Sequence, residues 1–140
     1  MDEINQKFYV LFDYIITKIE QSKMGLKKEP KYNVLITEIE NFIYNEYGND
    51  NLTADKIAKK VGMSSEYLRR LFKKLMGESI NDYISRYRIN KAKEFLLNTS
   101  VPVSEIALIT GFSNANYFYT VFKKINGITP SEFRNINTKI

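Results

Sequence analysis

At 140 residues, 44% apolar and 14% aromatic, the chain has material for one domain or two very small ones with packed cores, which argues against disorder over most of its length. It has no Cys and no His, which argues against a disulfide framework, zinc chemistry and hydrolytic triads. The net charge of +5 conceals an asymmetry, because residues 1–51 hold 6 Lys/Arg against 9 Asp/Glu whereas residues 52–134 hold 14 against 7. A positive field confined to the second part suits a polyanion-binding surface, although charge taken alone favours a solvated basic face.

The longest apolar stretches, Phe8 to Phe12 and Tyr14 to Ile16, are interrupted by Asp13 and fall short of a span of roughly 20 residues. No signal-peptide pattern is visible, so a soluble cytoplasmic protein is expected. Ile4, Phe8, Leu11, Ile15 and Ile19 lie on one helical stripe and predict an amphipathic helix over 3–21. A charged linker, Ser22 to Lys31, closes a first segment, 1–31, and separates it from a second, 32–140. There Leu35, Ile39 and Phe42 start another stripe running to Tyr47, followed by a turn at Gly48 to Asn51.

Thr53 is placed to cap a short helix from Ala54 to Val61, which Gly62 stops, since only glycine reverses there without a Cβ clash. Ser64 caps a helix to Met76, ended by Gly77. Ser79 to Asp82 resembles a capping box and opens a long helix to about Asn98, with Tyr83, Ile84, Tyr87, Ala92, Phe95 and Leu96 as its buried stripe. Pro102 starts another short helix, Gly111 repeats the turn, Ser113 the cap and Gly127 the stop, and Thr129 to Glu132 is a second capping box. No β pattern appears, so an all-α fold is expected. Its first module spans about 34–78, the connecting helix about 79–98 and the second module about 101–135.

The second module repeats the first. Ile57-Ala58 and Gly62-Met63-Ser64 match Ile106-Ala107 and Gly111-Phe112-Ser113 at an offset of 49. Tyr67-Leu68, Phe72-Lys73-Lys74 and Gly77 match Tyr117-Phe118, Phe122-Lys123-Lys124 and Gly127 at an offset of 50, so one residue is inserted between. Helix, glycine turn, helix is the helix-turn-helix unit, here with Ile57, Ala58, Leu68 and Phe72 as buried seam and the second helix presented outward. The outward faces are expected to carry Glu66, Arg69, Arg70 and Lys73 in the first module, and Asn114, Asn116, Tyr119, Thr120 and Lys123 in the second.

Arg suits guanine O6 and N7, Asn adenine N6 and N7, Glu cytosine N4, and Thr the thymine methyl. The two helices should therefore read different bases of double-stranded DNA. A 19-residue connecting helix spans roughly 28 Å at 1.5 Å per residue. Adjacent major grooves on one DNA face lie about 34 Å apart. One chain could thus serve both grooves, with DNA bending as needed.

The run Ile106-Ala107-x-x-x-Gly111-Phe112-x-x-x-x-Tyr117-Phe118-x-x-x-Phe122-Lys123-Lys124-x-x-Gly127-x-Thr129-Pro130-x-x-Phe133-Arg134 resembles the signature of the AraC/XylS transcription regulators. The resemblance extends through Arg88-Ile89-x-x-Ala92 toward Leu52 and the helix before it. It implies a seven-helix, two-module bacterial DNA-binding domain with homeodomain-like modules, often in contact with RNA polymerase. Carried over by position, the base-facing residues fall on Glu66, Arg69 and Arg70, then on Asn116 and Thr120. Many members have Arg or Lys where this chain has Thr120, so weak reading or a T-rich half-site is expected of the second helix. Lys73, Lys123 and Arg134 are expected to be phosphate or structural contacts, and Tyr67 and Tyr117 to anchor their helices by packing.

The approach through residues 1–31 is similar to that in response regulators and larger sensor-regulators. A C-terminal part of such a protein is expected, with a short stand-alone activator as the alternative. The stripe over 3–21 would dimerise the chain, transmit a signal or pack on its own domain. No cofactor, metal, membrane or small-molecule site is expected. The competing functional class is a helical protein–protein interaction module without DNA binding. An enzyme acting on nucleic acid is disfavoured, since no metal-spaced carboxylate cluster accompanies the missing His.

Overall fold

The computed structural model describes residues 30–138, and in these it is all-helical: α1 (Pro30–Glu46), α2 (Ala54–Val61), α3 (Ser65–Met76), α4 (Ile80–Asn98), α5 (Val103–Ile109), α6 (Ala115–Asn126) and α7 (Pro130–Thr138). The amphipathic helix expected over 3–21 lies outside the described residues. Helix α1 includes Pro30 and Lys31, which the sequence pattern assigns to the linker. Its buried stripe is Ile36, Ile39 and Ile43. Leu35 and Phe42, which the sequence pattern places in the stripe, only flank it.

Local chemistry fixes the helix ends. The Thr53 hydroxyl accepts from Lys56 N at 3.2 Å, Ser64 from Tyr67 N at 3.2 Å and Ser79 from Asp82 N at 3.1 Å. Thr129 accepts from Glu132 N at 3.1 Å, the first half of the expected capping box, while its own hydroxyl rather than its backbone N–H donates to Glu132 Oε1 at 3.0 Å. Both helix-turn-helix turns close alike: Met63 N donates to Ala58 O, and Phe112 N to Ala107 O. Each bond spans a glycine with positive φ, 75° at Gly62 and 98° at Gly111.

The cap of α6 differs from the sequence expectation. Ser113 does not cap it; Asn114 does, with Oδ1 accepting from Tyr117 N at 2.9 Å. Ser64 and Asn114 are 50 apart while Gly62 and Gly111 are 49 apart, so the inserted residue lies in the turn and displaces the cap by one.

Two cores follow. Ile36, Ile39, Ile43, Ile57, Leu68 and Phe72 anchor the first, and Ile106, Ala107, Phe112, Phe118 and Phe122 the second. Ala58 and Ala107, 1% and 0% exposed, leave room for the close approach of α2 to α3 and of α5 to α6. The edge-to-face ring pair Phe72–Tyr83 recurs 50 residues later as Phe122–Phe133, with centroids 5.5 and 5.7 Å apart, so the repeat extends into the helix that follows each module.

Helix α4 belongs to both cores. Ile80 and Ile84 enter the first, whereas Ile89, Ala92 and Leu96 enter the second. Five residues separate Ile84 from Ile89, a rotation of roughly 140° around the axis at 3.6 residues per turn. The single stripe expected from the sequence is therefore two half-stripes on different faces, and Tyr83, Tyr87 and Phe95 lie only half-buried at their margins. Arg134 holds the far end of α4, donating from Nε to Leu96 O and from Nη2 to Thr99 O, both at 3.2 Å.

Near the change of face α4 carries two cations, Arg88 before Ile89 and Lys91 after it. Lys91 is 4% exposed, with Nζ 3.6 Å from Glu94 Oε2 and within 6 Å of the ring centroids of Tyr44, Tyr47 and Tyr87. Arg88 donates from Nε to Tyr47 O at 2.9 Å and from Nη2 to Asn49 O at 2.8 Å. The turn after α1 is thereby tied to α4, and it also touches the turn after α5: a Cβ on Gly48 would sit 3.0 Å from Ile109 O, and one on Gly111 only 2.1 Å from Tyr47 O.

Two outcomes follow for stability. Gly111→Ala meets both a left-handed φ and a backbone clash, whereas Gly62→Ala meets the φ alone, with nothing within 4 Å of the new Cβ. Urea denaturation should show a loss of about 1–2 kcal/mol for Gly62→Ala and at least about 3 kcal/mol for Gly111→Ala. Equal losses would mean that the close approach at Gly111 has no energetic weight.

The second outcome concerns pH. Burial holds Lys91 below its ordinary 10.5, with Glu94 opposing. The same desolvation holds Tyr47 and Tyr87 above their ordinary 10.0. A depressed lysine penalises the charged folded state, and that penalty is relieved as pH climbs toward 10.5; a raised tyrosine favours folding below 10.0, and that contribution is lost above it. The urea midpoint should therefore rise as pH approaches 10.0 from below and fall beyond, with tyrosinate absorbance appearing together with unfolding. In Lys91→Met the rising limb should vanish; a limb that persists would assign it to other groups.

Candidate nucleic-acid interface

Helices α3 and α6 are the second helices of the two turn units, and each buries one narrow face. Leu68 and Phe72 of α3, and Phe118 and Phe122 of α6, are 0% exposed. The opposite faces are exposed at positions that match at an offset of 50: Glu66 with Asn116, Tyr67 with Tyr117, Arg70 with Thr120, Lys73 with Lys123 and Lys74 with Lys124. The expected site residues Glu66, Arg69, Arg70 and Lys73 thus share the outward side of α3, and Asn116, Thr120 and Lys123 that of α6.

Some expected site residues have other company. Tyr119 is half-buried against the second core, its ring 5.9 Å from that of Phe118, so it is partly a packing residue. Asn114 stands at the cap of α6 rather than on the outward face, with its carbonyl oxygen committed to Tyr117 N. Tyr67 and Tyr117, expected to anchor by packing, are 43% and 56% exposed. Each follows the first residue of the outward face, one position from the buried Leu68 or Phe118, and so reaches the rim rather than the seam.

Polar bonds restrict what these outward side chains can offer. Arg69 donates from Nη2 to Asp55 Oδ1 at 3.3 Å, a surface pair that is more a tether than a source of stability. The Ser65 hydroxyl and the Arg69 cation hold the Asp55 carboxyl below its ordinary range. Thr120 Oγ1 donates to Asn116 O at 3.0 Å, which commits its hydroxyl proton to the helix and leaves the methyl as its apolar group.

The sequence reading missed several cations. Lys56, Lys59 and Lys60 lie exposed on α2, and Arg69, Arg70, Lys73 and Lys74 line an open cleft of about 510 Å³ that reaches Ser79, Ile80 and Asn81 at the start of α4. The counterparts of the three α2 lysines at an offset of 49 are Glu105, Leu108 and Ile109, none of them basic. Residues 52–78 hold 7 Lys/Arg against 3 Asp/Glu, and residues 101–135 hold 3 against 2. The positive field therefore belongs mostly to the α2–α3 unit, since residues 34–51 of the first module hold Glu38, Glu40, Glu46 and Asp50 and no Lys or Arg. The repeat offset, applied to charge as well as to apolar residues, carries that signal in the sequence.

A family model described as a helix-turn-helix domain matches residues 57–136, from the first buried seam into α7. The chain belongs to the AraC/XylS family of DNA-binding transcription regulators. It is 37% identical over 124 residues to an HTH-type transcriptional regulator encoded in the cgkA 5′ region of Pseudoalteromonas carrageenovora, which covers 84% of this chain and 73% of that protein. It is 35% identical over 112 residues to the HTH-type transcriptional regulator YtdP of Bacillus subtilis, covering 80% of this chain but only 14% of YtdP. Among solved structures, the C-terminal domain of the two-component response regulator yesN from Fusobacterium nucleatum superposes with a TM-score of 0.67 at 41% identity, covering 69% of this chain and 93% of that one. These likenesses confirm the double helix-turn-helix architecture expected of the sequence. None of the described helices is long and apolar enough to cross a membrane.

The displaced cap gives a direct check within this domain. Asn114→Ala should cost about 1 kcal/mol in urea denaturation, while Ser113→Ala should change little. The reverse order would return the cap to Ser113.

Proposed function

We propose that this AraC/XylS domain places α3 and α6 in successive major grooves of one duplex and reads two different boxes. Glu66, Arg69 and Arg70 read the first, Asn116 and Thr120 the second, and Lys73, Lys74, Lys123 and Lys124 contact phosphate. The observation that carries the reading is the pair of matched outward faces, which hold polar and charged side chains at the same positions of α3 and α6. The 19 residues of α4 between the modules correspond to roughly 28 Å at 1.5 Å per residue, near the spacing of adjacent grooves.

The modules divide the work unequally in this reading. The first, through its α2–α3 unit, supplies most of the cationic surface and a guanidinium at Arg70 suited to guanine, whereas the second offers the Asn116 amide, suited to adenine, and the Thr120 methyl, suited to thymine. The Asn114 amide and the exposed Tyr67 and Tyr117 rings lie at the edges of these faces and serve as backbone contacts. The proposal includes RNA polymerase as the protein partner that the family resemblance implies, and pairing of two copies through the stripe over 3–21. A binding role rather than an enzymatic one is supported by the lack of His and Cys in the chain.

Selection of bound duplexes from a random pool should return two distinct boxes. On the winner, Arg70→Ala should cost roughly 1–3 kcal/mol and relax preference at one base pair, while Lys123→Ala should weaken all sequences similarly and reduce the salt slope by about one. Equal losses for Arg70→Ala on specific and scrambled DNA would remove it from the readers. Absence of any salt-dependent DNA binding would favour the protein-interaction reading instead.

A further inference from the structure

We infer that Arg88 is a positioning residue for DNA recognition: by locking the turn after α1 against the turn after α5, it sets the separation between the two DNA boxes that one chain accepts. The inference rests on the two-groove reading above and extends it to a residue outside the outward faces of α3 and α6.

Each module packs on its own half of α4, on faces roughly 140° apart at 3.6 residues per turn. The side chains of one core do not enter the other. A shared rod alone would let either module rock about its own contact with α4. The modules meet directly where residues 47–49 lie against residues 109–112, and Arg88 sits at that meeting. Its fork reaches two carbonyls of the first module, Tyr47 O and Asn49 O, and its guanidinium carbon lies 5.9 Å from the centroid of Phe112 in the second. A planar, forked donor on two carbonyls constrains angle as well as distance, which a lysine ammonium does not.

The repeat supplies an internal control. Gly62 and Gly111 play the same part in the two turns, with the same bond across them, yet a Cβ at Gly62 would meet nothing within 4 Å. At Gly111 it would meet Tyr47 O at 2.1 Å and Arg88 Nε at 2.6 Å. The second turn has therefore taken on a task that its twin lacks, namely to admit the Arg88 fork and the carbonyl it holds. Phe112, next in the chain, is 3% exposed in the second core and carries the position of the fork toward α6.

Two linked modules gain avidity only when both can engage at once, so the rigidity of the link should appear as a spacing preference. The test uses the full chain on duplexes carrying both selected boxes, their separation varied one base pair at a time, and on duplexes carrying either box alone. The unaltered protein should prefer one separation over those two base pairs away by roughly 10²-fold, the scale at which avidity is lost with geometry. Arg88→Ala should keep its affinity for each single box while that preference falls by roughly ten-fold, through weaker binding at the best separation. Arg88→Lys, which keeps the charge and most of the stem, should fall between the two, and it carries the test should Arg88→Ala fail to fold.

An Arg88 variant that weakens binding equally at every separation, with the preference intact, would overturn the inference in favour of a purely structural or phosphate-contacting role. Two-box binding by the unaltered protein without spacing preference would overturn it while leaving the two-groove reading in place. Binding to one box only, or to none, would remove the two-groove reading and this inference with it.

Discussion

A pair of short helices joined by a tight turn cannot enclose its own apolar face. Each module here closes its core only by borrowing a third surface, and α4 lends one to both. That constraint explains why α4 lacks a single stripe, why its apolar side rotates between Ile84 and Ile89, and why ring pairs between a module and the helix that follows it recur at Phe72–Tyr83 and Phe122–Phe133. The modules are therefore covalently and energetically continuous, although their cores are separate.

Where the apolar side of α4 changes over, the helix sets two cations against aromatic rings, Arg88 against Phe112 and Lys91 against Tyr44, Tyr47 and Tyr87. Lys91 lies among three tyrosine rings beside Glu94, and Arg88 ties down the Tyr47 and Asn49 carbonyls of the turn after α1. Buried charges are costly unless paired and hydrogen-bonded, so they persist where their geometry is over-determined. The net effect is specificity of arrangement: aliphatic residues could fill this volume but could not hold two backbone turns at fixed angles.

Much of this fold is legible in the sequence because its local signals agree. Caps at Thr53, Ser64, Ser79 and Thr129, stops at Gly62, Gly77 and Gly127, and the seam at Ile57, Ala58, Leu68 and Phe72 all stand where pattern places them. The departures have identifiable physics. An inserted residue in a turn leaves two polar residues, Ser113 and Asn114, able to cap, and spacing does not choose between them. A helix serving two cores defeats a single-periodicity reading, so Ile89 and the buried Lys91 were not expected. The contact of Gly111 with Tyr47 joins residues 64 apart in sequence, and no local pattern encodes it. Among the site residues, the outward placement of Glu66, Arg70, Asn116 and Thr120 follows from helical periodicity once the seam is known; the exposed Tyr67 and Tyr117 and the inward lean of Tyr119 depend on packing.

The unequal modules bear on how such a domain would meet DNA. A cationic α2–α3 unit, with lysines on α2 as well as cations on α3, would have the larger electrostatic capture radius and the greater affinity for any duplex. The second module, nearly neutral over residues 101–135, gains little from capture, and the Asn116 amide and Thr120 methyl discriminate only once the helix is seated. Engagement would then be ordered, with the first module docking and the second testing the neighbouring groove at an effective concentration set by the link. A loose link would dilute the second test over many orientations. On the two-groove proposal a weakly charged second module has more need of a rigid junction than a strongly basic one, and Arg88 on α4, bonded to Tyr47 O and Asn49 O and set against the Phe112 ring, supplies a contact of that kind.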